Sequence, residues 1–212
     1  MDEGNFEFER KFFVPELPAV VATEPHPAAI LQSYVLAVDG YAIRVRLQAS
    51  QLPTELRAAA HTGDQGEREL LEAWAPHYDL CMLTAKGPYV GGTRYEVERE
   101  VDVNAGLGMV RRGGQLVAKL RHSVWLDEDG WVIDEFLGGN AGLIVAEVER
   151  GGPVVDLTIP AFCATEITDD TRFANDELAH TPFGEWREEF AADLARRGPR
   201  FLTDFGRNTV AP

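Results

Sequence analysis

Charged residues recur two positions apart along this chain, each flanked by apolar neighbours, and that parity constrains the fold more than any other feature. Side chains at i and i+2 of a strand share a face. Glu7, Glu9 and Lys11 therefore face one way and Phe6, Phe8 and Phe12 the other. Arg44 and Arg46 oppose Ile43, Val45 and Leu47. Arg94, Glu96 and Glu98 oppose Tyr95 and Val97. Lys119 and Arg121 oppose Ala118 and Leu120, and Glu147 and Glu149 oppose Ala146 and Val148. Lys86 and Asp134 sit singly in the same pattern. One such set describes a solvated sheet face. Five sets on separate strands fit a closed sheet whose polar faces converge on one axis.

The elements follow from the same alternation. Residues 5–14 read as a strand. Residues 32–48 read as two strands joined at Asp39-Gly40, a two-residue hairpin turn. Residues 80–86 and 92–103 pair around Gly87-Pro88. Residues 115–126 and 131–136 are joined by turn residues at 127–130, and 143–149 is a further strand. Two stretches read as helical: 54–74, broken near residues 63–66, and 184–197, with Trp186, Phe190 and Leu194 on one face. The expected fold is mainly β within the α+β class: an eight-stranded antiparallel closed barrel with a charged interior, flanked by helices. Residues 1–180 form the barrel domain. Residues 181–212 form a helical tail packed on the barrel or capping it.

The inward set holds seven acids (Glu7, Glu9, Glu96, Glu98, Asp134, Glu147, Glu149) and seven bases (Lys11, Arg44, Arg46, Lys86, Arg94, Lys119, Arg121). Charges removed from water must be paired or ligate ions. A carboxylate-only acid set suits hard cations such as Mg²⁺ or Mn²⁺. Arginine forks and lysine point charges suit phosphate oxygens. No aromatic residue is expected on the inward parity, and Trp74, Trp125, Trp131 and Trp186 read as packing residues.

Composition narrows the setting. A net charge of −15 argues against a broad nucleic-acid or anionic-membrane surface, though not against a basic pocket for a small polyanion. Cys81 and Cys163 make neither a disulfide framework nor a zinc set, and the five histidines lack ligand spacing. No apolar run is long enough to span a bilayer, and the acidic start lacks a signal pattern. A cytoplasmic protein is expected, without membrane attachment; a homodimer stays open.

The ordered motifs resemble one known family. Glu7-Phe8-Glu9-Arg10-Lys11 matches the ExExK signature of the CYTH, or triphosphate tunnel metalloenzyme, superfamily. Arg44-Val45-Arg46, Leu83-Thr84-Ala85-Lys86-Gly87, Thr93-Arg94-Tyr95-Glu96-Val97-Glu98 and Lys119-Leu120-Arg121 then follow in the family's order. So do Trp131-Val132-Ile133-Asp134-Glu135-Phe136, Ala146-Glu147-Val148-Glu149 and the closing segment 166–175. The resemblance covers roughly residues 5–178. The stretch 48–80 is longer than in compact bacterial members, and residues 183–212 match no motif.

The resemblance implies metal-assisted chemistry on a small triphosphate, foremost hydrolysis of inorganic tripolyphosphate to pyrophosphate and phosphate. Related readings are a thiamine triphosphatase, a nucleoside triphosphatase or a class IV adenylate cyclase. A polyphosphate- or nucleotide-binding module without turnover is a further reading, but it has no use for so many inward acids. About two Mg²⁺ ions would add about +4, and a triphosphate roughly −4 to −5, so the loaded interior would be near neutral. Glu7, Glu9, Lys11, Lys86 and Arg121 are the expected catalytic residues. Lys11, Arg44, Arg46, Lys86, Arg94, Lys119 and Arg121 are expected to bind substrate. Glu7, Glu9, Glu96, Glu98, Asp134, Glu147 and Glu149 are expected to bind metal.

Overall fold

The computed structural model describes residues 6–23, 26–62, 65–90 and 93–211; the side chains of Phe6, Glu7, Tyr89, Val90, Thr93 and Arg94 lie outside that description. Eight main strands run antiparallel: β1 (Phe6–Phe13), β2 (Ala28–Val38), β3 (Tyr41–Ala49), β4 (Leu80–Val90), β5 (Thr93–Glu100), β6 (Gln115–Leu126), β7 (Asp129–Phe136) and β8 (Ile144–Arg150). Their order is β1-β5-β4-β3-β2-β6-β7-β8, and β8 pairs in turn with β1. The two-residue strand Thr165–Glu166 adds to β1 opposite Phe12 and Phe13.

The alternating pattern sets the register, and the register carries the parity from strand to strand. Lys11 faces Glu147, and Glu9 faces Glu149. Arg44 faces Thr84 and Ala42 faces Lys86. Thr84 then faces Glu98, and Lys86 faces Glu96. Arg121 faces Asp134. Opposed residues of an antiparallel pair share a face, so these charges all lie on one side of the sheet. The β2–β3 turn forms as expected: Asp39 and Gly40 both have positive φ, and a Cβ at Gly40 would press within 2.9 Å of Pro88.

The other face is apolar and covered in two ways. Helices α1 (Thr54–His61), α2 (Glu67–Trp74) and α3 (Val103–Arg112) cover β2, β3, β4 and β6. Leu70, Leu71, Trp74, Leu107 and Val110 pack there on Leu31, Val45, Leu47 and Leu120. Irregular chain covers β1, β7 and β8, where Val154, Leu157, Ile159 and Cys163 meet Phe12, Trp131, Ile133 and Val148.

Two expectations are corrected. The chain does not reverse at Gly87-Pro88. There β4 carries a register shift between Lys86 and Tyr89 and continues to Val90. β5 stops at Glu100 rather than at residue 103, because Asp102 caps α3 by accepting from the Ala105 N–H at 2.9 Å. The C-terminal helical stretch, expected to pack on the barrel or to cap it, lies at one end of the charged face. α4 (Asn175–His180) and α5 (Arg187–Arg197) follow one another. Leu178, Phe183, Trp186 and Phe190 pack with Val117, Phe136 and Val145, which share the charged face further along the strands. Phe190 meets Phe13 edge-on at 5.0 Å. The aromatic stripe thus fills one end of the inner face. Among the described residues, no helix is long and apolar enough to cross a membrane.

Candidate active site

The inner face encloses a cavity of about 550 Å³ lined by Glu9, Lys11, Arg44, Arg46, Lys86, Glu96, Glu98, Lys119, Arg121, Glu147 and Glu149. The side chains of Glu7 and Arg94 fall outside the described residues; their backbones stand opposite each other on β1 and β5. A smaller cavity of about 250 Å³ shares Glu9, Lys11, Arg44 and Lys86 and is bounded by residues 167–176.

Acids and bases alternate around this space. Lys11 Nζ lies 3.0 Å from Glu9 and 3.1 Å from Glu147. Lys86 Nζ lies 2.5 Å from Glu96. Arg44 donates to Glu98 at 2.8 Å and to Thr84 at 3.0 Å, and Arg46 donates to the other Glu98 oxygen at 3.1 Å. Burial works against the Glu98 charge, but Thr84, Arg46 and Arg44 together hold its carboxyl below the usual range. Burial likewise opposes the charge of Glu147, and Lys11 leads the groups that hold it down.

Asp134 is placed differently from the other acids. It is fully buried and absent from the cavity lining. Arg121 grips it with two bonds of 2.7 Å, and Lys119 Nζ donates to it at 2.6 Å. Asp134, expected among the metal-binding acids, thus lies beneath two cavity bases. Burial disfavours all three charges. Pairing nevertheless holds Asp134 well below and Arg121 well above their ordinary values. At Lys119 burial wins, and its pKa is pushed down to about 8, because it shares Asp134 with Arg121 and is repelled by that guanidinium.

Some polar atoms behind the cavity wall lack a partner. Arg44 Nε and Arg46 Nε are buried without an acceptor, and Gln32 Oε1 lacks a partner as well. Gln32 was not anticipated from the sequence, nor were Thr84, Asn175 or Tyr34. Tyr34 is buried beside the smaller cavity, and burial pushes its phenol up to about 12 against the pull of Arg44. β2 does carry a signal: Gln32 and Tyr34 lie two apart and face Arg46 and Arg44. Polar but uncharged, they read as ordinary strand residues until the register is known. Asn175, which accepts from Lys119 at 3.2 Å, ends the matched segment 166–175.

The donor set fits hard divalent cations by its chemistry. Glu9, Glu147 and Glu149 stand on adjacent strands, and no histidine or cysteine is among the described residues that line the cavity. Among the described residues, no three His, Cys, Asp or Glu side chains are already drawn together as a cage.

Comparison with known proteins agrees with this arrangement. No family model matches the chain. It is 32% identical over 112 residues to an inorganic triphosphatase of Acetivibrio thermocellus, across 52% of this chain and 72% of that protein. Its fold is shared with the crystal structure of the inorganic triphosphatase NE1496, at a TM-score of 0.50 and 22% identity over 82% of this chain and 93% of the other. A second structure of NE1496, described as a hypothetical protein, superposes with the same TM-score at 23% identity over 82% and 97% of the two chains. A polyanion-sized cavity lined by alternating acids and bases on an antiparallel sheet defines a class of triphosphate-handling folds. The chain belongs to the CYTH, or triphosphate tunnel, family.

Proposed function

We propose that this protein hydrolyses a small triphosphate in the 550 Å³ cavity, with inorganic tripolyphosphate as the main substrate and pyrophosphate and phosphate as products. The observation that carries the reading is the convergence of Lys11, Arg44, Arg46, Lys86, Lys119 and Arg121 on one cavity beside Glu9, Glu147 and Glu149. Arginine forks and lysine point charges converging there supply donors and positive charge for phosphate oxygens. The Acetivibrio thermocellus relative, named an inorganic triphosphatase, supports the same reading. We take the β1–β5 and β1–β8 pairings together as closing the sheet into a tunnel.

In this reading Lys11, Arg44, Arg46, Lys86, Lys119 and Arg121 hold the phosphate oxygens, joined by Arg94 on its strand. Asp134 positions Lys119 and Arg121. Glu9, Glu147 and Glu149 would hold Mg²⁺ or Mn²⁺, with Glu7, Glu96 and Glu98 assisting, and the cation competes with Lys11 for their oxygens. When bound, the metal supplies charge neutralisation and activation of water. The chain's own share is positioning and electrostatic stabilisation in a site preorganised by strand register. The two buried, unbridged thiols Cys81 and Cys163 are consistent with a cytoplasmic setting.

Phosphate release from tripolyphosphate, ATP and thiamine triphosphate, with Mg²⁺ or Mn²⁺ and with EDTA, tests the proposal. Turnover is expected to require the metal and to show its highest kcat/KM with tripolyphosphate. Full turnover in excess EDTA would remove the metal from the reading. Cyclic AMP and pyrophosphate from ATP would replace hydrolysis by cyclisation.

A further inference from the structure

The large apolar side chains left in water are not spread evenly. Among the described residues eleven are exposed, and five of them, Val35, Leu36, Val38, Tyr41 and Ile43, belong to one hairpin made by the end of β2 and the start of β3. Trp125, expected to pack, is 79% exposed but stands apart from them on β6. The hairpin projects past the aromatic plug, whose Val117 stands opposite Gln32. The cover of α1, α2 and α3 stops short of it. Leu36 faces Ile43, Ile43 faces Ala85, and Val38 faces Tyr41; all five lie on the outer face and are exposed. A contiguous apolar patch of this kind marks an interaction surface.

The same hairpin has an open backbone edge. β2 pairs with β6 only as far as Tyr34, opposite Gln115, whereas its pairing with β3 runs on to Val38, opposite Tyr41. Residues 35–38 therefore have a neighbouring strand on one side alone, and among the described residues no other backbone hydrogen bond reaches them. Asp39 and Gly40 both have positive φ, which makes the two-residue turn type I′. A hydrogen-bonded pair closes such a turn, here Val38 with Tyr41, and the next pair, Ala37 with Ala42, exchanges no bonds. Ala37 thus turns its N–H and C=O to the open side. Neither lysine nor proline blunts residues 35–38. An apolar edge with free backbone groups is a template for another strand.

We propose that this edge pairs with the same edge of a second copy of the chain, antiparallel about a two-fold axis through Ala37. In that register Ala37 exchanges both hydrogen bonds with its counterpart, and Leu36 stands opposite the second copy's Val38 on the shared outer face. Ile43 and Leu36 of one copy then continue into Val38 and Tyr41 of the other, and the symmetry repeats that row. The edge is self-complementary in both hydrogen bonding and side chains. Charge also selects a second copy. The chain carries −15, yet residues 35–43 contain one charged group, Asp39, so two acidic copies meet here with little repulsion.

Sedimentation of the full chain over about a hundredfold range of concentration is expected to show a monomer–dimer equilibrium, since a short edge gives a small interface whose occupancy follows mass action. Leu36→Lys places a charge in the apolar row. Ala37→Pro removes the central N–H, which the chain's own hairpin does not use. Both variants are expected to stay monomeric throughout, with unchanged far-UV circular dichroism. Hydrogen exchange needs no variant: the Ala37 amide is expected to exchange about tenfold more slowly or better as the dimer fills. A wild type that is monomeric at the highest concentration, assembly beyond the dimer, a dimer that persists in either folded variant, or an Ala37 amide unprotected in the dimer would each overturn the proposal. Should a variant lose its fold, the exchange result decides alone.

Discussion

Lys119 shows how a single residue's surroundings set a working range. Its ammonium is buried, hydrogen-bonded to Asp134 and Asn175, and lies 5.2 Å from the centre of the Phe136 ring. Burial pushes its pKa down to about 8, since Asp134 is shared with Arg121. A lysine with a depressed value is charged below it and neutral above it. In the free protein the Lys119 charge is thus present up to about pH 8 and is lost as pH rises further. A bound polyanion favours the charged form and moves the value up again. The kcat/KM profile for tripolyphosphate is therefore expected to fall above about pH 8, while kcat holds to higher pH, because the two report the free and the loaded protein respectively. A kcat/KM that stays flat to pH 9.5 would show that Lys119 does not contribute its charge to binding.

Strand β1 carries two chemistries, one on each face, and only one of them was legible in the sequence. Glu9 and Lys11 follow from parity. Between them, Arg10 lies on the opposite, apolar face and is almost wholly buried. It makes two bonds to Glu166, at 2.8 and 2.6 Å, and one to Asn208 at 2.8 Å, between the rings of Phe12 and Phe205. Glu166 also accepts from the Leu202 N–H and from Thr168. This pair clasps the C-terminal segment to β1. No local pattern announces it, since its partners lie more than 150 residues away in sequence. The same limit hid α3, whose packing on β3 and β4 is tertiary, and the plug, whose aromatic stripe was visible while its destination was not. Strand parity, by contrast, is a local property that the register only propagates. Breaking a buried ion pair typically costs about 3–5 kcal/mol because one charge is left unpaired. Arg10→Met is expected to lower stability by about that amount in urea denaturation. Adding Glu166→Leu should restore part of it, short of the acceptor that Leu202 loses. A change under about 0.5 kcal/mol for Arg10→Met would show that the clasp contributes nothing.

At the scale of the whole molecule, the distribution of charge matters more than its total. The chain carries −15, yet the described lining and its support are within one charge of balance. Glu9, Glu96, Glu98, Asp134, Glu147 and Glu149 stand against Lys11, Arg44, Arg46, Lys86, Arg99, Lys119 and Arg121. The excess negative charge therefore lies elsewhere on the protein, where it weakly repels a polyanion. Inside, either ligand alone unbalances the set. A triphosphate adds roughly −4 to −5 beside glutamates already close to its lysines. Divalent cations alone add about +4 for two ions beside seven bases. Each ligand offsets the charge the other introduces, so the two are expected to bind cooperatively. A coupling of about 1–3 kcal/mol is ordinary between linked sites. Binding to the folded state raises melting temperature in proportion to the logarithm of occupancy. The unreactive imidotriphosphate removes turnover from the measurement. Melting with Mg²⁺ alone, imidotriphosphate alone and both together should give a joint shift larger than the sum of the separate ones. The excess should shrink at high salt, where the mouth of the cavity is screened. A joint shift equal to the sum would mean that metal and phosphate do not meet within one balanced charge set, and the carboxylates of β1 and β8 would then lose their place beside the phosphate-binding bases.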